Sequence, residues 1–358
     1  MSKQLIGTVA VCVVLGGLLG MGGCAAVQPG VQLARVSALP QQCRDGCSLT
    51  MVTAKFGWLK GRTTLWATND GGASWQQRTL PRTVIPDDFL DIHFVDEQHG
   101  WLLASSGPLY ETSDSGLTWV SVPLPQLDGL VHAAWLLPGS GLAWLGGGIY
   151  KPSKSPHAAN YCLKKYESGL WGIKHPAVLI RKGAGAWDLH ELPGGSCQVM
   201  QLRFWDQRHG FAIADTCFYY TETGGQAWTV GLFTVGSRSE SWFPDEGREP
   251  TVSFLDRENG WLGLNGVKAG GSLYRTADGG QHWVRIASST LLQFKDLVFT
   301  DQTHGLGIGS GYKLYQSRDG GVTWALVNTA FLPSALYSLG GRTGWVLSDD
   351  TLYTFAFF

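Results

Sequence analysis

Charge is what this sequence is short of. Charged residues fill only 15% of its 358 positions, and the formal net charge is −1. Such a chain has no global basic field, which excludes nucleic acid as a partner. No sustained 3.6-residue apolar stripe appears after residue 30, which argues against a helical fold. Also missing are a nucleophile elbow, a phosphate-cradling glycine loop and an H-E-x-x-H pair, so no common catalytic motif is present. What the chain has is glycine, 49 residues, and tryptophan, 16. Glycine and aromatic richness with few Lys and Glu suits short strands and tight turns. The length allows one large domain or two small ones around a substantial core.

An apolar run opens the chain. Lys3 gives a positive start, and residues 5–20, "LIGTVAVCVVLGGLLG", form a run of 16. That is short for a membrane span and right for the hydrophobic part of an export signal. Next comes "MGGC", ending at Cys24. Small residues before a cysteine resemble the lipobox of bacterial lipoprotein signals, with Met21 where Leu is more usual. The resemblance implies removal of residues 1–23, lipidation of Cys24 and a tether over 24–30. It implies a periplasmic protein held to a membrane by its lipid anchor. Ala25, not Asp, follows the cysteine, a pattern that goes with the outer membrane. An ordinary signal peptide with an incidental cysteine is the alternative. Each buried acyl methylene contributes about 0.8 kcal/mol, so several chains on one cysteine hold a protein at a membrane. Cleavage removes Lys3 and no acid, leaving a charge of −2.

The rest of the chain repeats. The phrases are "TNDGGASW" (68–75), "TSDSGLTW" (112–119), "TADGGQHW" (276–283) and "SRDGGVTW" (317–324). "TETGGQAW" (221–228) carries Thr223 in place of the aspartate. "LIRKGAGAW" (179–187) lacks the aspartate, in a turn that reads two residues shorter. The closing residues Trp75, Trp119, Trp187, Trp228, Trp283 and Trp324 are spaced by 44, 68, 41, 55 and 41. A base period of 41–44 is that of a four-stranded propeller blade, and the two long steps carry insertions of roughly 27 and 14 residues. A second phrase, F-x-D-x-x-H/N-G, precedes most copies at 94–100, 204–210, 254–260 and 299–305. Each unit therefore reads as antiparallel strands A to D, with this phrase as the A–B turn and the aspartate phrase as the C–D turn. The tail, "SALYSLGGRTGWVLSDDTLYTFAFF", supplies only three strands. "VQLARV" (31–36) has strand character and supplies the fourth. The expectation is an all-β, seven-bladed propeller over 31–358, closed by its N-terminal strand so that no sheet edge is left open. Six blades is the alternative.

The phrase S/T-x-D-x-G-x-x-W is the Asp-box, also called the bacterial neuraminidase repeat. Combined with F-x-D-x-x-H-G-W it resembles the photosystem II stability and assembly factor family over roughly residues 48–355. The resemblance implies a seven-bladed propeller that assists a protein complex at a membrane. The repeat specifies fold better than function, since sialidases and other propellers use the same turn.

The aspartates have a structural reading. An Asp in a tight turn accepts hydrogen bonds from nearby backbone N–H groups, and the following glycines supply positive φ. The tryptophan buries about 150–250 Å² between sheets. Asp70, Asp114, Asp278 and Asp319 are expected to tie turns. A catalytic pair would need carboxylates about 5–10 Å apart, which equivalent turns around a ring cannot provide. Each turn also offers too few oxygens for calcium. His99, His209 and His304 recur at one repeat position and cannot converge on a metal. No cofactor and no metal is expected.

Both insertions belong to the face opposite these turns. Residues 151–177 form a B–C loop of blade 3, and 234–250 connect blades 4 and 5. Long loops on a rigid ring are where binding usually lives. Residues 151–182 carry a net charge of +6 and residues 234–250 one of −2. Lys151, Lys154, Lys164, Lys165, Trp171, Lys174 and Trp242 are the candidate partner-binding residues, with a solvated, partly self-paired loop as the alternative. Five cysteines remain beyond Cys24, an odd number in an oxidising compartment. Cys43–Cys47 and Cys197–Cys217 are candidate pairs, and Cys162 competes for the latter two.

The leading expectation is a lipid-anchored scaffold that helps assemble or stabilise an envelope protein complex, a photosystem-like one by resemblance, and is not an enzyme. A sialidase-like hydrolase or glycan-binding protein is the alternative. The R-I-P phrase of sialidases is absent, the nearest being "ARVSALP" with Arg35 in the closing strand.

Overall fold

A computed structural model describes residues 30–43, 47–61, 63–81, 89–104, 109–125, 129–137, 140–153, 163–165, 171–183, 185–193, 198–214, 217–235, 238–240, 248–266, 270–289 and 293–358. Residues 1–23, Cys24 and most of the 24–30 tether lie outside them. The described chain folds as seven sheets in a ring, each built on a four-stranded antiparallel blade, a seven-bladed β-propeller. This settles the blade count against six.

Blade 1 shows the plan, with strands Ser48–Met51, Gly57–Lys60, Leu65–Thr68 and Gln76–Arg78 hydrogen-bonded in that order. The first strand of each blade lines the central channel and the fourth lies on the outer side. Blade 7 has three strands from the tail, and its fourth is Val31–Ala38, which pairs from Val31↔Phe357 to Ala38↔Thr351. Arg35 stands opposite Tyr353 in this closing strand. Joining the two chain ends in one sheet removes the open edges that a ring cannot tolerate.

The core is not central. It is split into seven apolar layers among the described residues, one between each adjacent pair of blades. Between blades 5 and 6 the layer contains Trp261, Leu273, Phe294, Leu297 and Phe299, all buried. Strand A carries a register shift in five blades, as between Phe89 and Asp91. A bulge there sharpens the local twist where the strands crowd the axis.

The first insertion is more regular than a loop. Strands Leu142–Ser153 and Trp171–Lys182 run in continuous register from Leu142↔Lys182 to Ser153↔Trp171. Strand Leu163–Lys165 then adds to the free side of Trp171–Ile173. Blade 3 is thereby drawn out into a long hairpin, because aromatic and β-branched residues continue past the blade's edge. The second insertion adds two strands to blade 5. Leu232–Val235 pairs parallel with the outer strand His282–Ser289, and Arg238–Glu240 folds back on it. Phe233 is buried there, edge-on to Tyr274 at 5.4 Å.

Deleting residues 31–38 should cost about 3 kcal/mol or more, from the partial burial of Val31, Leu33 and Val36 alone. Calorimetry of the truncated chain checks this, and an unchanged melting temperature would contradict the closure.

Candidate functional site

The repeated turns come first, because they carry the residues that look chemical. At "SRDGGVTW", Ser317 Oγ donates to Asp319 Oδ1 at 2.9 Å and accepts from Gly321 N at 2.8 Å. Asp319 accepts from Thr323 N at 2.9 Å and Thr323 Oγ1 at 2.5 Å. The same arrangement occurs at Asp70 with Thr68 and Ser74, at Asp114 with Thr112 and Thr118, and at Asp278 with Thr276 and His282. Gly320 and Gly321 have φ of 74° and 96°, the left-handed region that other residues avoid. At Thr223 a hydroxyl stands in for the carboxylate, accepting from Ala227 N at 2.8 Å.

The turns also bind blades together. Trp119, Trp228, Trp283 and Trp324 each stand edge-on, 5.9–6.2 Å away, to the strand-A phenylalanine of their own blade: Phe94, Phe204, Phe254 and Phe299. Three of these rings stack flat on a strand-B tryptophan of the preceding blade: Trp58 on Phe94 at 3.5 Å, Trp144 on Phe204 at 3.8 Å and Trp261 on Phe299 at 3.9 Å. The indole N–H groups of Trp144, Trp261 and Trp345 then donate to the carbonyls of Gly224, Gly320 and Gly71, each in the turn of the next blade. A Cβ at Gly100, in the G-W pair, would sit 2.5 Å from Phe94 Cδ1, which is why glycine precedes the tryptophan. Trp75 lies half-buried in the layer between blades 7 and 1.

The histidines stay local. His99 Nδ1 meets Asp96 Oδ2 at 2.9 Å, and His209–Asp206 and His304–Asp301 repeat the contact. Each of these aspartates also accepts two backbone N–H bonds, as Asp96 does from Gln98 and His99. Asn259 serves Asp256 the same way.

Blade 3 breaks the pattern. Arg181 pairs with Ala143 as Thr112 pairs with Gly100, so arginine occupies the Ser/Thr position. Trp187 follows it by six positions, against seven from Thr112 to Trp119. The turn is one residue shorter, not the two that the sequence suggests. The Arg181 side chain reaches into blade 2, pairs with Glu111 and lies 5.1 Å from the Trp101 ring and 4.9 Å from the Trp187 ring. A cation between two indoles replaces the missing turn contact.

Strand pairing brings four lysines of the basic insertion to neighbouring register positions. Lys151 stands opposite Ile173, Lys174 opposite Tyr150, Lys164 opposite Gly172 and Lys165 opposite Trp171. Lys154 and Trp242 lie outside the described residues. Cys43 and Cys47 are joined by a disulfide beside the closing strand. Cys217 is buried in blade 4. Cys197 and Cys162 lie outside the described residues.

The turn phrases distract from a third region. The seven inner strands enclose a central channel of about 750 Å³. The residue just before the strand-A phenylalanine faces this channel in each blade, as His93, Arg203, Ser253 and Val298 show, with Thr50, Trp135 and Tyr337 at the matching register. His93 packs on Trp135 at 4.2 Å, and the Arg203 guanidinium lies 5.6 Å from the same ring. Burial, reinforced by Arg203, pushes the His93 pKa down to about 4. Two carboxyls of the wall act as inter-blade clasps. Asp296 accepts from Leu336 N of blade 7 at 2.7 Å, and Asp91 accepts from Ala134 N of blade 3. Burial pushes both up to about 6, with Lys60 opposing the shift at Asp91. The missed signal was the position before phenylalanine in "DIHF" and "QLRF".

No family model matches the chain. Two curated relatives match parts of it. The Photosystem II assembly protein Ycf48 of Thermosynechococcus vestitus is 35% identical over 71 residues, 17% of this chain and 20% of the relative. The chloroplastic Photosystem II stability/assembly factor HCF136 of Arabidopsis thaliana is 32% identical over 108 residues, 29% of this chain and 24% of the relative. The matched stretches thus span about a fifth to a quarter of these relatives. Among solved structures, YCF48 bound to D1 peptide superposes with a TM-score of 0.61 at 18% identity, covering 93% of this chain and 98% of that one. YCF48 from Cyanidioschyzon merolae gives 0.59 at 18% identity, covering 90% and 98%. A streptogramin B lyase gives 0.57 at 10%, covering 92% and 98%. These likenesses establish the fold.

Burial opposes but does not outweigh the hydrogen bonds from Thr323 and Ser317, and the Asp319 carboxyl is held below its ordinary value. Its stabilising contribution is therefore complete above the unfolded value, about 4, and is lost as pH falls through the lower folded value. Asp319→Asn should cost about 1 kcal/mol at pH 7, and the gap to the parent should close on acidification. Urea melts at the two pH values check it, and a gap that widened in acid would contradict the assignment.

Proposed function

We propose that this propeller is a lipid-anchored binding protein that assists assembly or stability of a protein complex in the cell envelope. The observation that carries the reading is the pair of curated relatives, both photosystem II assembly factors. The superposition on a D1-peptide-bound propeller supports a polypeptide as the partner. In this reading residues 1–23 are a lipoprotein signal, Cys24 bears the lipid, residues 24–30 are the tether, and the ring stands on the periplasmic face of the outer membrane. The aspartate turns and their histidines are occupied within the fold, which supports a scaffold over a catalyst. The basic hairpin of blade 3 is the docking surface. Four of its lysines stand on paired strands, within a segment, residues 151–182, of net charge +6, and such a local excess of positive charge favours an acidic protein segment and speeds its encounter.

The test is crosslinking mass spectrometry in the native membrane, with Lys164→Glu/Lys165→Glu and Cys24→Ser beside the parent. The parent should crosslink to subunits of one membrane complex, the double reversal should lose most of that capture, and Cys24→Ser should leave the membrane fraction. Unchanged capture by the double reversal would overturn the hairpin. Glycoside turnover without any protein partner would overturn the scaffold reading.

A further inference from the structure

Arg203 stands in the central channel beside the Trp135 ring, with no carboxylate paired to it among the described residues. It makes no hydrogen bond or ion pair among the described residues, and its Nε is buried without a partner. Trp135 Nε1, beside it, is also buried and unpartnered. The groups that might have answered Arg203 are engaged elsewhere. Asp91 is held by the N–H groups of Ile92 and Ala134 and by Lys60. Asp296 is held by the N–H groups of Leu297 and Leu336. Tyr337 donates its hydroxyl to Met51 O at 2.8 Å, and Ser253 Oγ accepts from Phe299 N at 2.8 Å. An arginine head with no carboxylate beside it in a channel wall is costly to desolvate and can take its anion from a ligand.

The channel also sets the kind of anion. Arg203 is flanked by His93, which burial keeps uncharged at neutral pH, and by a neutral tyrosine. The guanidinium fork fits carboxylate and phosphate alike, but one positive charge balances a single carboxylate and leaves the second charge of a phosphate dianion unmet. Apolar side chains also line the cavity, among them Met200 and Leu339, 45% and 48% exposed, and Trp135. We propose that the central channel binds a carboxylate with an apolar body, Arg203 holding the carboxylate and Trp135 with the apolar wall receiving the rest. The carboxylate belongs to a small organic acid or to the free C-terminus of a polypeptide. This site is separate from the blade 3 hairpin and does not depend on it.

Calorimetric titration of the purified full chain tests it, with 3-phenylpropionate and hexanoate, their amides, inorganic phosphate, and an apolar tripeptide with a free or an amidated C-terminus. The acids should bind, and the amides and phosphate should bind about tenfold more weakly or not at all. Arg203→Gln should lose the same factor without losing the cooperative melt, and Arg203→Lys, which keeps the charge but not the fork, should fall between. Tighter binding of the free peptide than of the small acids identifies a chain terminus, and the reverse order identifies a small ligand. Equal affinity for acids and amides on the parent protein, or no binding of any carboxylate, overturns the proposal whether or not Arg203→Gln folds. A folded Arg203→Gln that binds like the parent overturns it as well. Lys164→Glu/Lys165→Glu should leave this binding unchanged, so the channel and the hairpin fail separately.

Discussion

A ring of blades stands or falls on the contact between one blade and the next. Here that contact is an indole laid flat on a phenyl ring, with its N–H given to a turn carbonyl. Trp144 on Phe204 with Gly224, and Trp261 on Phe299 with Gly320, show it complete. The aspartate turn presents that carbonyl in a fixed place, and its own tryptophan closes the other side of the phenyl. One recurring phrase thus secures both the turn and the neighbour. Its acids and hydroxyls are hydrogen-bonded inside the turn they tie.

The exceptions follow the same constraint. Thr223 keeps the turn with a hydroxyl, so blade 4 still receives Trp144. Blade 3 gives up the turn, and Arg181 crosses to Trp101 and Glu111 instead. The closing blade has no aspartate phrase, yet Trp345 reaches Gly71 of blade 1, so the seam between the chain ends carries the contact too.

Much of this was legible in the sequence, for a physical reason. The spacing of Trp75, Trp119, Trp228, Trp283 and Trp324 reports blade period because each tryptophan fills one equivalent place. The strand at 31–36 was legible because the tail is one strand short. Less legible was anything that depends on pairing across distance. The 151–177 segment, with its glycines and prolines, reads as a loop until Leu142–Ser153 and Trp171–Lys182 are seen in register. The 234–250 connection gives no hint that Leu232–Val235 lies parallel to another strand. The channel was hidden because His93, Trp135, Arg203 and Tyr337 share a level only after the ring closes. Alternation within "QLRF" marks Arg203 as facing away from Phe204, but not what it faces.

The central claim is that the repeated aspartates hold the ring together and leave function to other surfaces. Joint replacement of Asp70, Asp114, Asp278 and Asp319 by Asn, followed by melting and by partner capture per folded molecule, tests it most directly. The account predicts a clearly lowered melting temperature with capture per folded molecule unchanged. An unchanged melting temperature with capture abolished would contradict it.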